Sequence, residues 1–253
     1  MSPVGQAAVL VAFPVSAAIA GSVAAVLRRP GPRLTSGIQH FAAGVVMAAL
    51  VGEVLPGLRE EGNLSWAVAG FASGVGVLLA LSAYSRNREK ARASRQAALG
   101  AATRTAAVGV PVALLATVAI DLVLDGLLVG LGATLGATQG LILTIALTIE
   151  ILFLGLSLAA ELVDSGLSRT RAAVTCSVVG LSTAVGAVGG AALLGDATKP
   201  VLAAVLAFGA AALLYLAVEE LLVEAHEQEE TTLLGAMFFL GFLAIYVLGE
   251  IAS

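Results

Sequence analysis

The chain is poor in what builds soluble domains and most enzyme sites. Of its 253 residues only 12% are charged, two are histidine, one is cysteine and one is tryptophan. A lone cysteine, Cys176, excludes an intramolecular disulfide and any cysteine-rich metal site. Its place in an apolar run predicts a small packed side chain. No glycine-rich phosphate loop is present, so the chain does not read as a nucleotide hydrolase. No basic region precedes the first apolar run, so no cleaved signal peptide is expected. The longest polar stretch, the basic loop SRNREKARASRQ from Ser85 to Gln96, is too short for a soluble domain.

What is present is hydrocarbon. The chain is 59% hydrophobic, with a mean hydropathy of +1.01. Solid apolar runs of roughly 20 residues cross a bilayer as helices. Short alternating segments, the mark of a membrane β-barrel, are missing. The sequence therefore predicts an all-α polytopic membrane protein. One transmembrane domain covers 1–253, with eight spans at about 4–27, 35–58, 64–84, 106–134, 139–163, 171–194, 199–223 and 231–252.

The few charges are unevenly placed. Arg28, Arg29, Arg33, Arg86, Arg88, Lys90, Arg92, Arg95, Arg104, Arg169 and Arg171 all fall on one side of an eight-span chain, 11 of its 13 basic residues. Arg59 and Lys199 fall on the other. The positive-inside rule makes the first side cytoplasmic and puts both termini outside. The acidic loop EAHEQEE, Glu224 to Glu230, is then cytoplasmic; acidic residues count little in that rule.

Two helix ends resemble each other. GEVLPGLREEG (Gly52 to Gly62) and EELLVEAHEQEE (Glu219 to Glu230) each close an apolar run with a glutamate, aliphatics and an acidic loop. The first ends outside and the second inside, which suggests inverted repeats around a central helix pair, a common transporter plan. Glu53 and Glu220 would then be equivalent positions near opposite faces. The bland alternative is two helix ends that reach interfacial water.

The central pair carries the chemistry. The spans at 106–134 and 139–163 contain Asp121, Asp125, Glu150 and, near an end, Glu161, and no Lys, Arg or His. A bare carboxylate in hydrocarbon costs several kcal/mol. Such acids are protonated, face water, or bind a cation from outside. Asp121 and Asp125 are four residues apart and share a helix face. Their repulsion is relieved directly by a divalent cation. Glu150 lies near the middle of the next span, and the short turn GATQG makes the two spans antiparallel neighbours. The three acids are therefore expected at one depth, with glycines 126, 130, 132 and 136 allowing close helix approach. Two other readings stand beside a cation or proton path. One is carboxylic acids hydrogen-bonded to neighbouring Ser and Thr; the other, an intramembrane aspartyl protease, lacks its usual Gly-x-Gly-Asp string.

Several strings resemble the Zrt/Irt-like (ZIP) family of divalent metal transporters. HFAAGVVMAALVGEVLP (His40 to Pro56) is similar to its second span. LLYLAVEELLVEAHEQEETTLLGAMFFLGF is similar to its seventh span and the entry to its eighth, and GLSRTRAA to the start of its sixth. The chain looks like a divergent, bacterial-type member. The resemblance implies a plasma-membrane transporter rather than an enzyme, often dimeric, with a divalent metal ion as cargo and the lipid bilayer as surroundings. It implies no cofactor and no nucleic-acid partner.

The departures fall at the family's metal site. Its fourth-span His-Asn-x-Pro-Glu-Gly corresponds here to Asp121-Leu122-Val123-Leu124-Asp125-Gly126. Asp121 stands for the histidine and Asp125 for the glutamate; the asparagine and proline are gone. In the fifth span Glu150 takes the first ligand position and Leu154 replaces the second. The sixth-span Glu-Pro reads Thr183-Ala184. At most one cation site is expected, from Asp121, Asp125 and Glu150. Its oxygen-only ligands favour manganese, ferrous iron or magnesium over zinc. Glu53, Glu219, Glu220 and Met47 are candidates along the path. His40 and His226 read as interfacial residues, with a weak cation-capturing loop as the alternative for His226. Glu250 reads as reaching outer water, and Glu161 and Asp164 as the cytoplasmic end of the fifth span.

The sequence thus predicts divalent metal transport (zinc, manganese or iron class) toward the cytoplasm by alternating access. The alternatives are a proton- or sodium-linked carrier of another solute, or a non-transporting relic of the same fold.

Overall fold

The computed structural model describes residues 2–28, 31–61, 63–98, 112–226, 228–229 and 231–252. Arg29, Arg104, Glu230 and residues 106–111 of the predicted fourth span lie outside the described residues. Eight helices among those described are long and apolar enough to cross a membrane. In chain order, spans one to eight are Pro3–Leu27, Pro32–Glu60, Leu64–Tyr84, Leu114–Leu135, Ala137–Asp164, Arg169–Leu194, Lys199–Ala225 and Thr232–Ile251. The chain is an integral membrane protein of all-α class. Large apolar side chains such as Phe13, Val185, Leu193 and Phe239 point outward, as a surface solvated by acyl chains permits.

Two predicted loops are corrected. The basic stretch Ser85–Gln96 is helix, because one helix runs from Leu64 through Ala98. Its Arg, Lys, Glu, Gln and Ala are strong helix formers and it holds neither Gly nor Pro, so the helix outlives its apolar span. The GATQG turn shrinks to Gly136 alone, between helices ending at Leu135 and starting at Ala137.

The spans pack in four main pairs: one with five, four with six, two with eight, and three with seven. Exchanging spans one to three with six to eight, and four with five, turns this set of pairs into itself. That is the signature of inverted repeats around the central pair. The helix irregularities follow the same exchange. Span one breaks at Val11 and span six at Leu181, each with φ −67° and ψ −16°. Span two opens into a π-helical turn at Leu50–Val54 and span seven at Leu216–Leu221. In the first repeat each irregularity has a proline beside it. Pro14 lacks the N–H that would bond Leu10, and Pro56 lies two residues past the end of the π turn. In the second repeat the corresponding residues are Ala184 and Val223. There the bend persists through packing, aided at Leu181 by the flanking Gly180 and Ser182.

Spans four and six touch backbone to backbone. A Cβ on Gly126 would lie 2.0 Å from the Thr183 carbonyl oxygen, and one on Gly186 would lie 2.1 Å from that of Val123. Only hydrogen fits at these crossings. They fix the height of Asp125 against Thr183. Gly132 faces Gly140 across the Gly136 turn, with 3.0 Å from its would-be Cβ to the Gly140 Cα, which holds spans four and five together at that end.

Candidate metal centre

From Gly136, Asp125 lies 11 residues back and Glu150 14 residues on, so at a helical rise of 1.5 Å per residue both sit about 16–21 Å from the turn. Spans four and five therefore bring the acids level. Ligand oxygens of Asp121, Asp125 and Glu150 lie within 4.8 Å of one another. Asp125 is 4% exposed and Glu150 1%; Asp121 is half-buried.

The hydrogen bonding around the cluster is incomplete in a specific way. Asp125 Oδ2, Glu150 Oε2 and Thr183 Oγ1 are buried with no hydrogen-bond partner among the described residues. Thr144 and Thr148 of span five donate to their own helix rather than to the acids: Thr144 Oγ1 to Gly140 O at 2.6 Å and Thr148 Oγ1 to Thr144 O at 2.5 Å. Buried polar atoms are normally paired. Two unpartnered carboxylate oxygens in one close cluster of acids are what a cation would satisfy.

Glu220 of span seven lines the same cleft as Asp121. The π turn decides which of two adjacent glutamates does so. Glu220 is half-buried, whereas Glu219 is exposed. A cleft of about 260 Å³ runs from Asp121 past Glu220, Ser157, Glu161 and Glu224 to Arg86, at the end of the molecule that carries the basic residues. In the opposite direction the route is closed. Val129, Leu131, Ile142, Leu143 and Leu147, each at 1% exposure or less, fill spans four and five between the acids and Gly136.

The remaining candidates lie elsewhere. Glu53 lines a separate cleft of about 400 Å³ at the far end, with Thr138, Gln139 and Glu250. Met47 packs against the apolar core. Cys176 is buried in a second apolar cluster with Ala18 and Leu158. Thr183 was read from the sequence only as a lost glutamate; its hydroxyl is in fact one of the three orphan oxygens.

A family model described as ZIP Zinc transporter matches residues 82–249, well over half of the chain. The chain belongs to the ZIP family. Divalent metal transport across a membrane follows from that membership, and with it a transporter rather than an enzyme. The match includes both helices that carry the acidic cluster. A comparison with curated proteins gives no match.

Proposed function

We propose that this ZIP protein carries a divalent cation through a single site made of Asp121, Asp125 and Glu150, by alternating access. The observation that carries the reading is the pair of buried, unpartnered carboxylate oxygens on Asp125 and Glu150 beside Asp121. An isolated buried carboxylate is costly, and a metal ion supplies both the charge and the coordination that such atoms lack. With no imidazole in the set, hard ions such as Mn²⁺, Fe²⁺ or Mg²⁺ fit better than Zn²⁺. Thr183 Oγ1 supplies a neutral oxygen from span six.

The cleft supports movement toward the cytoplasm. The site reaches solvent past Glu220 and Glu224 at the end rich in Arg and Lys, which the positive-inside rule makes cytoplasmic. The apolar layer toward Gly136 closes the outer side, so this conformation is the inward-facing one. Glu220 is the first way-station on exit, and Glu53 is its symmetry counterpart near the outer mouth. Both termini are then outside, in the plasma membrane. The small residues of span six suit tight helix contacts, within the chain or across a homodimer. Opening the other side requires the apolar layer to part, which the inverted repeats permit by exchanging the conformations of the two halves.

The test is uptake into proteoliposomes across a panel of Zn²⁺, Mn²⁺, Fe²⁺, Co²⁺, Cd²⁺ and Mg²⁺, comparing wild type with Asp121→Asn/Asp125→Asn. Uptake that vanishes in the folded double variant supports the site. Unchanged uptake by that variant removes it.

A further inference from the structure

The chain has only two histidines, 186 residues apart in sequence, and the fold brings them into contact. His40 of span two and His226, just past span seven, have ring centroids 5.1 Å apart and ring planes inclined at 49°. His40 is 4% exposed, and His226 is exposed. Both line a cleft of about 810 Å³ with Leu222, Thr231, Thr232 and Phe238. This cleft faces span eight and shares no residue with the one that reaches Asp121.

The hydrogen bonds preset both rings in one way. His40 Nδ1 lies 2.9 Å from Ser36 O, and His226 Nδ1 bonds Leu222 O. A carbonyl oxygen only accepts, so each Nδ1 carries the hydrogen. In a neutral imidazole the lone pair is then on Nε2. An N–H on a backbone carbonyl is the arrangement that orients metal-ligating histidines and raises their basicity. A tetrahedral ion shared by two imidazoles through bonds of about 2.0–2.1 Å requires ring centroids about 5 Å apart, and the two rings stand 5.1 Å apart. The two histidines sit on elements already tied together. Ser36 Oγ donates to Ala225 O at 2.7 Å, and Gln39 Nε2 donates to Glu224 Oε2 at 2.6 Å.

We propose that His40 and His226 form a second, nitrogen-ligand metal site, lateral to the transport path, for a borderline-soft divalent ion such as Cu²⁺, Ni²⁺ or Zn²⁺. Water completes its coordination through the open cleft. Its ligand chemistry is the opposite of the all-oxygen transport site, so the two sites prefer different ions. A bound ion bridges the start of span two to the end of span seven.

The scarcity of histidine makes the test clean. Tag-free protein carrying Asp121→Asn/Asp125→Asn is loaded with one equivalent of Cu²⁺, and its EPR spectrum is read for nitrogen superhyperfine coupling. Coupling to two imidazole nitrogens is expected, falling to one in His226→Gln, an exposed position whose replacement leaves the core intact. Coupling to one nitrogen or none in the parent protein overturns the proposal. Because two of the three transport carboxylates are replaced throughout and Glu150 offers only oxygen, the nitrogen coupling is read independently of whether that site moves metal.

Discussion

Asp125→Leu separates a transport site from a structural carboxyl group. Leucine keeps the branching of aspartate at Cγ but carries no charge and no polar atom. In the metal-free protein, Asp125 is 4% exposed, has an unpartnered Oδ2, and stands within 4.8 Å of two other carboxyl groups. A buried polar atom left unpaired costs about 1–3 kcal/mol, so the leucine variant should be more stable than wild type by about that much in chelator. At roughly 2–4 °C per kcal/mol for a chain of this size, its melting temperature in detergent should rise by about 2–12 °C. Added metal reverses the order of benefit. At 100 times its dissociation constant a ligand adds about 2.7 kcal/mol to the wild type and next to nothing to the variant. Thermal unfolding with EDTA and with Mn²⁺ measures both effects. A variant that melts below wild type in EDTA would refute the reasoning, because it would show that Asp125 is held by hydrogen bonds it contributes to the fold. Equal metal stabilisation of both proteins would refute it as well.

Two further outcomes follow from the packing and the cleft. Gly126→Leu should destabilise the protein by about 1–3 kcal/mol or more, because its Cβ would lie 2.0 Å from the Thr183 carbonyl; Gly189→Leu, where a Cβ meets nothing within 4 Å, is the control, and equal melting temperatures for the two would contradict the account. Glu220→Gln should slow uptake several-fold while Glu219→Gln leaves it near wild type, since only Glu220 faces the cleft; the reverse order in a proteoliposome assay would contradict the π turn's role in aiming it.

The spans were legible because a bilayer demands long apolar runs and little else. The carboxylate cluster was legible for a related reason. Once Asp121 and Asp125 share a helix face and a short turn reverses the chain, simple rise per residue carries Glu150 to the same depth. Hydropathy marks where the chain leaves the membrane, and it missed that the helix of span three continues to Ala98. The choice between Glu219 and Glu220 depends on a π turn that, in span seven, no proline announces. Thr183 reads only as a lost glutamate; that its hydroxyl is buried without a partner shows only in the fold. His40 and His226 carry no local signal of one another; only the folding of span two against span seven brings the rings together.

The central claim is that the cation is held by three carboxylates and no nitrogen. Mn²⁺ EPR on detergent-solubilised, tag-free protein tests it most directly, titrated against wild type, Asp121→Asn, Asp125→Asn and Glu150→Gln. The account predicts one tightly held Mn²⁺ per chain with no nitrogen coupling, and loss of that ion in each of the three variants. Tight Mn²⁺ binding that survives Asp125→Asn, or that shows nitrogen coupling in the wild type, would contradict it.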